Sequence, residues 1–265
     1  MLEALQYDFI QNAIISGVLV SIASGIIGSL VVANRITFLA GGIAHSSYGG
    51  IGLAIFFGIP VLFGATVFAV ATAMIIAALT IKSRKRIDSI IGIMWAFGMA
   101  IGIIFVDLTP GYNVDLMSYL FGSIIAVSSE DITYLAILDI FIIGLVLIFY
   151  KQILAVSYDS EFALLRGINV KFFYTLILIL SALSVVGAIK VVGLILVIAL
   201  LTIPTYLAEM FAKKLSSMMI ISAIFATIFT LLGLIISYTF DISSGASIIV
   251  VGVVALLISK ILGKK

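Results

Sequence analysis

His45 is the only histidine of this 265-residue chain, and it stands in an apolar, glycine-rich segment, FLAGGIAHSSYGG. On a helix, positions −4, −3, +4 and +7 share its face, and all four are glycine: Gly41, Gly42, Gly49 and Gly52. Such a face permits close packing of a neighbouring helix, with His45 hydrogen-bonded to that neighbour. It also leaves room for a narrow polar cavity in which a neutral imidazole binds a metal such as zinc. The spacing leaves both interpretations open.

Three aspartates are candidates for binding a cation. Asp139 lies inside an apolar run, where a carboxylate either lines a pathway or hydrogen-bonds between helices. Asp115 and Asp241 fall in connections between runs, where they would either attract cations to an entrance or be ordinary solvated acids. Lys190 is expected to extend toward the outer surface rather than to take part in chemistry.

A stable metal site or a catalytic centre is not predicted. The chain has no cysteine, so it offers no thiolate ligand and no thiol nucleophile. One histidine without clustered acids provides neither the four ligands of a structural zinc site nor the groups of an intramembrane enzyme. A translocation pathway needs less, because its sites must release the ion that they bind.

The elements that position these residues are predicted to be membrane-spanning helices. Hydrophobic residues make up 64% of the chain and charged residues only 10%, which is typical of an integral membrane protein. A spanning helix needs about 20 apolar residues. Nine apolar intervals meet this need: 12–33, 39–57, 61–81, 88–107, 132–150, 172–188, 191–208, 216–238 and 244–261. The sixth and seventh are so close that they could form one broken helix, so the fold class is an all-α polytopic bundle of eight or nine spans.

The charges predict how the chain is oriented in the cell membrane. Alternating loops assign 13 of the 14 basic residues to one side, with Lys190 the exception, while the loops of the other side carry acidic residues. Lys and Arg accumulate in short cytoplasmic loops. The C-terminus is therefore expected to be cytoplasmic and the N-terminus external. The first apolar run lacks the features of a cleaved signal peptide.

Two connections are long enough to carry structure of their own. Residues 108–131 are expected to form an external half-helix at or dipping into the membrane surface. Residues 151–171 form the longest internal loop, in which Glu161 to Arg166 can make about one and a half helical turns. Phe162 and Leu165 would share one face and Gly167 would end the helix. This face either docks into a partner or lies on the membrane or its own bundle.

No ATP-hydrolysing domain fits beside these spans. The phosphate-binding pattern GxxxxGK[ST] does not occur in the chain, so any ATP chemistry would belong to another protein. No internal repeat is evident, which disfavours the duplicated secondary carriers. The lipid bilayer is the expected environment, and nucleic acid is not an expected partner.

Five segments in order resemble the membrane subunits of zinc and manganese ABC transporters. They are RITFLAGGIAHSSYGGIGLA, IDSIIGIMWAFGMAIGI, VDLMSYLFGSIIAVSSEDI, GAIKVVGLILVIALLTIP and FDISSGASIIV. The resemblance covers nearly the whole chain. It implies one permease domain over residues 1–265 that imports a divalent metal ion and binds no cofactor of its own. Zinc is the first expectation for this ion, and manganese or another metal is the second.

The resemblance also implies partners and roles. The permease would pair with a second copy of itself, with two ABC ATPase subunits inside and with a metal-binding solute-binding protein outside. His45 becomes the best candidate for the metal contact. Glu161, Phe162, Leu165, Arg166 and Gly167 fall where the family places the coupling helix that inserts into the ATPase.

Two departures leave the substrate open. Family members commonly carry an Asp where this chain has Gly41, and some zinc members carry an additional His near the position of Trp95 and Ala96. Zinc, manganese, another divalent ion or a metal chelate such as a siderophore are therefore compatible with the sequence. A proton-coupled secondary carrier that uses Asp139 and His45 without an ATPase is the alternative of another class.

Overall fold

The computed structural model describes residues 7–81, 86–110, 124 and 127–262, and within these ranges it contains helices and no strand. The predicted all-α class is therefore confirmed. The α-helices of these ranges are α1 Asp8–Ala33, α2 Phe38–Phe57, α3 Val61–Thr80, α4 Ile87–Asp107, α5 Ser129–Ile148, α6 Tyr150–Tyr158, α7 Ser160–Leu165, α8 Val170–Glu209, α9 Leu215–Phe240 and α10 Ser244–Leu262.

Seven helices of the described ranges are long and apolar enough to cross a membrane: α1, α3, α4, α5, α8, α9 and α10. α8 contains 40 residues, about twice the length that one crossing needs, and its backbone leaves helical geometry at Gly193. It thus covers the sixth and seventh predicted intervals as one broken helix, the possibility that the sequence left open. All predicted intervals coincide with helices.

α2 is the predicted interval that is not apolar enough to be counted among the seven. Its glycines, serines and His45 lower its hydropathy, yet most of its residues are buried within the protein. A helix surrounded by protein does not need the apolar surface that lipid requires. The composition that makes α2 unusual as a span is therefore consistent with an interior position.

The chain divides into two compact units. The described residues within 1–32, 117–143 and 187–265 form the first unit, and those within 33–116 and 144–186 form the second. His45 and α7 belong to the second unit, whereas Asp139 and Asp241 belong to the first.

Close backbone contacts hold the second unit together around α2. A Cβ added to Gly52 would lie 2.3 Å from the carbonyl oxygen of Gly102, and one added to Gly98 would lie 2.5 Å from the Ser46 backbone. Only glycine allows helices to approach so closely. Gly98 and Gly102 of α4 therefore serve packing, with α2 as their partner.

The first unit uses the same device and adds hydroxyl hydrogen bonds. A Cβ on Gly25 of α1 would lie 2.4 Å from the Ala223 amide nitrogen of α9. The Ser21 and Thr230 hydroxyls of the same two helices are 3.1 Å apart, and those of Thr205 and Ser222 are 2.8 Å apart. These buried hydroxyls satisfy one another where water is absent. The predicted external half-helix falls largely outside the described residues.

Candidate functional site

His45 is held by two contacts within the second unit. Its Nδ1 lies 2.9 Å from the carbonyl oxygen of Gly41, one turn earlier on α2. Its ring stacks on Trp95 of α4, with the two ring centroids 3.9 Å apart and an interplanar angle of 23°. The side chain is partly rather than completely buried. The imidazole therefore has a defined orientation and retains some access.

The hydrogen bond to Gly41 determines which ring nitrogen carries the proton. A carbonyl oxygen can only accept a hydrogen bond, so Nδ1 of His45 must be the donor. In a neutral imidazole the other nitrogen, Nε2, then has a free lone pair. Histidines that bind metals commonly donate their second N–H to a carbonyl or carboxylate in this way. The geometry prepares His45 to donate the Nε2 lone pair to a cation.

The glycine face around His45 serves mainly for packing. A Cβ on Gly42 would meet Ile91 at 2.1 Å, and one on Gly49 would meet the Phe68 ring at 2.6 Å. The Gly102 backbone occupies the space beside Gly52. The first of the two interpretations thus holds for these three glycines, while Gly41 supplies the carbonyl that orients the imidazole.

Trp95 continues the cluster toward Met99. Its indole N–H donates to the Met99 sulfur at 3.1 Å, within the same helix, and the Phe38 ring lies 5.7 Å from the Trp95 ring. The His45 imidazole is thus stacked on an aromatic ring whose own polar atom is satisfied. Trp95 limits the rotation of His45 but offers no ligand atom to a metal.

Asp139 is the buried carboxylate of α5 in the first unit. It is 4% exposed and shares its helix face with Leu135, Ile142 and Val146, all buried. Its Oδ2 has no hydrogen-bond partner among the described residues. A buried carboxylate oxygen without a partner is costly, so a cation or a proton would stabilise this group.

Asp241 has a local structural role, and Asp115 lies outside the described residues. Asp241 caps the C-terminus of α9 with φ at 52°, and its amide donates to the Ser237 carbonyl. Asp is one of the few non-glycine residues that adopt this conformation readily. Its side chain is exposed, as either a solvated acid or an entrance acid would be.

Lys190, the basic residue that breaks the charge pattern, forms an ion pair with Asp131 of α5. Asp131 also accepts hydrogen bonds from the Ser128 amide and hydroxyl, which form a capping arrangement at the start of α5. Lys190 is half exposed. The contact shows that the unexpected positive charge has a nearby acid as its counter-ion.

α7 is a short helix with both ends fixed by hydrogen bonds. The Asp159 carboxylate accepts from the Phe162 amide at 2.9 Å at its start. At its end Gly167 has a φ of 73°, its amide donates to Leu164, and the Ile168 amide donates to Ala163. This pair of bonds is the Schellman ending that favours glycine. The predicted helix and its stop at Gly167 are confirmed, with the start at Ser160.

Large apolar side chains of α7 are exposed, although the helix is anchored. Ala163 is buried, whereas Leu165 is 88% exposed and Phe162 about half exposed. The Arg166 guanidinium lies 5.2 Å from the centre of the Phe162 ring. Glu161 is exposed as well. The structure therefore presents apolar and charged side chains on a rigid turn.

No group of three or more His, Cys, Asp or Glu side chains is placed to hold a metal ion in the part of the chain that the structure describes. The model of the ABC 3 transport family matches residues 6–263. The chain belongs to this family. The ABC 3 assignment agrees with the resemblance read from the five sequence segments.

Relatives of this ABC 3 chain match it over nearly their whole length. A manganese transport system membrane protein, MntC, from Listeria monocytogenes is 34% identical over 261 residues, which cover 98% of this chain and 93% of the relative. An uncharacterised membrane protein from Synechocystis sp. is 46% identical over 259 residues, covering 98% and 92%.

A solved structure agrees with the fold of the ABC 3 chain. PsaBC from Streptococcus pneumoniae in complex with a Fab matches with a TM-score of 0.86 at 33% identity, covering 97% of this chain and 93% of that chain. The helices that carry His45, Asp139 and α7 are thus part of an architecture known from experiment.

Two features of the site escaped sequence reasoning. The sequence places Trp95 near a position where some zinc transporters carry a histidine. It does not predict that Trp95 stacks on His45, because this contact depends on how α2 and α4 pack. A buried hydrogen bond joins Asn34 to Ser157, which are 123 positions apart in the chain. Nothing in the type of either residue predicts this pairing. The glycines that bring α2 and α4 together were the available signal for the first feature.

Proposed function

We propose that this chain is the permease subunit of an ATP-driven importer for divalent metal ions, with Mn²⁺ as its favoured substrate. The observation that carries the proposal is the arrangement of His45, in which the Gly41 carbonyl accepts a hydrogen bond from Nδ1–H, Trp95 stacks on the ring and Nε2 keeps a lone pair. The ABC 3 family supplies the transport class. Metal specificity is supported by the Listeria relative, a manganese transport system membrane protein.

The ligand set favours Mn²⁺ over the Zn²⁺ that the sequence resemblance placed first. Zinc prefers several nitrogen and sulfur ligands, and this chain has one histidine and no cysteine. Oxygen ligands such as carbonyls, carboxylates and water suit manganese. His45 with water and oxygen groups around it would bind such an ion weakly, which permits release to the next site.

Asp139 is the second pathway group that we propose. Its buried Oδ2, which has no hydrogen-bond partner among the described residues, offers a cation a hard oxygen ligand. Asp115 and Asp241 stay predictions as entrance acids, and the capping conformation of Asp241 gives that residue a reason to be present without any role in transport.

We further propose that α7 docks into a separate ABC ATPase. The helix is rigid at both ends and exposes Phe162 and Leu165, so it is suited to insert an apolar face into a groove. Glu161 and Arg166 would provide polar contacts at the rim of this groove. Gly167 would allow the positive φ with which the helix ends. ATP hydrolysis would thus occur on the partner chain, and this chain would be a transporter subunit rather than an enzyme.

The full assembly that we propose contains two copies of this permease, two ATPase subunits and an external solute-binding protein. The two compact units would together form one permease domain in the cell membrane, with the cytoplasmic C-terminus that the basic residues predict. ATP binding would favour one of two arrangements of the bundle and so alternate the access to His45.

The test is uptake into proteoliposomes that contain the permease and its co-purified ATPase, supplied with Mn²⁺, Zn²⁺ or metal chelates. We expect ATP-dependent uptake of free divalent ions with Mn²⁺ preferred. If only chelates were taken up, the substrate would be a metal chelate and not a free divalent ion. Uptake that survives ATP depletion while a proton gradient is kept would support the secondary carrier instead.

A further inference from the structure

The turn that joins α1 to α2 is anchored by a buried side chain. Asn34 follows the last residue of α1 and is only 4% exposed. Its Nδ2 donates to the Ser157 hydroxyl at 2.9 Å. The next residue, Arg35, has a φ of 57°, so the backbone leaves helical geometry before α2 begins at Phe38. The hydrogen bond therefore fixes the backbone just before the N-terminus of α2, the helix that carries His45.

The other partner of this bond lies next to α7. Ser157 is 7% exposed and lies in the last turn of α6, two residues before Asp159. Asp159 is the residue whose carboxylate caps α7. Any displacement of α7 thus reaches Ser157 through a short, hydrogen-bonded stretch of backbone.

We propose that Asn34 and Ser157 are positioning residues that transmit the movement of α7 to α2 and hence to His45. This inference rests on the proposed function, in which α7 meets the ATPase and His45 meets the metal. A buried hydrogen bond is costly to break because neither group can turn to water. The start of α2 and the end of α6 therefore move together, and His45 follows about two helical turns further along α2.

Removing the hydroxyl is the direct test. Ser157→Ala is introduced into the permease, which is co-purified with its ATPase and placed in proteoliposomes with Mn²⁺. Metal uptake and ATP hydrolysis are measured on the same vesicles. We expect the number of ions taken up per ATP to fall about fivefold or more, while hydrolysis continues.

Two variants separate transmission from simple destabilisation. Ser222→Ala removes a hydroxyl from a comparable buried pair, Thr205 and Ser222, which lies in the other unit. It should lower stability to a similar extent and leave the ratio of ions to ATP unchanged. Ser157→Thr keeps the hydroxyl and should restore most of the coupling.

Each possible result decides the question. An unchanged ratio for Ser157→Ala, or an equal loss for Ser222→Ala, would overturn the proposal. If Ser157→Ala does not assemble, Asn34→Leu removes the other side of the bond, and failure of both to assemble would mean that the contact is structural only. A wild-type complex without ATP-dependent Mn²⁺ uptake would instead refute the proposed function.

Discussion

His45 and Asp139 are both polar side chains on apolar helices, but their surroundings differ. His45 has a carbonyl for its Nδ1 proton and an aromatic ring against its face. Asp139 is more deeply buried, and its Oδ2 has no hydrogen-bond partner among the described residues. The His45 ring is held in one orientation by the protein itself. Oδ2 of Asp139, in contrast, has bonding capacity that a bound cation could use. Preorganisation and unmet bonding capacity are two different signs of a binding role.

His45→Ala should have the largest effect on transport. Loss of a partner that merely orients a metal ligand costs about 10- to 100-fold in affinity, so loss of the ligand itself should lower Mn²⁺ uptake by about 100-fold or more. The measurement is initial uptake at low Mn²⁺ by the assembled complex. Ser47→Ala is the control, since Ser47 is a buried polar residue of α2 whose hydroxyl donates to the Ala44 carbonyl of the same helix. Equal uptake by both variants would remove His45 from the pathway.

Asp139→Asn should lower uptake about 10- to 100-fold, because a contact to a charged group is worth about 1.5–3 kcal/mol. The amide has the same shape and needs no cation, so the thermal stability of the complex should be maintained or increased. Uptake and thermal unfolding in detergent are measured on the same preparation. Normal uptake by this variant would leave Asp139 with a structural role only.

Trp95→Ala should reduce uptake about threefold to tenfold, since an aromatic pair contributes about 0.5–1.5 kcal/mol. The ligand remains, but its ring is free to rotate. Trp95→Phe keeps an aromatic ring beside His45 and should recover most of the activity. If the alanine variant transports as well as the phenylalanine variant, stacking does not position the imidazole.

Gly52→Ala should change assembly rather than the uptake of each assembled complex. The added methyl would lie 2.3 Å from the Gly102 carbonyl, and such overpacking costs about 1–3 kcal/mol. Gly92 of α4 has open space around its Cβ position, so Gly92→Ala is the matched control and should be neutral or slightly stabilising. Thermal unfolding of the two variants is compared. Similar stability would show that α2 and α4 are not as closely packed as described.

The positions of the helices could be predicted from the sequence because a helix that crosses a bilayer needs about 20 consecutive apolar residues, and such runs are visible in the sequence. The nine apolar intervals all became helices, although α8 is continuous except at Gly193. The sequence places the break between the intervals 172–188 and 191–208, and the backbone leaves helical geometry slightly later, at Gly193. The residue itself could not be identified, because the chain has 23 glycines and only three of the described ones have a positive φ. α7 was predictable from Glu161 to Gly167, since its stop signal is local.

The site was less predictable because it depends on contacts between distant residues. The sequence identified His45 and Asp139 as polar groups in apolar surroundings, which is a property of each residue and its neighbours. It could not show that Trp95 stacks on His45 or that Asn34 reaches Ser157. Both contacts arise from helix packing, which many glycine patterns would permit.

We propose that Nε2 of His45 binds the transported ion, and the chain allows a direct test because it contains one histidine. The permease is labelled with ¹⁵N-histidine, without an affinity tag that contains histidine, and is assembled with an unlabelled ATPase. Electron spin resonance of bound Mn²⁺ then detects coupling to nearby nitrogen nuclei. We expect coupling to a single ¹⁵N that disappears in His45→Ala. A Mn²⁺ spectrum without histidine coupling, from a complex that transports the ion normally, would contradict the claim.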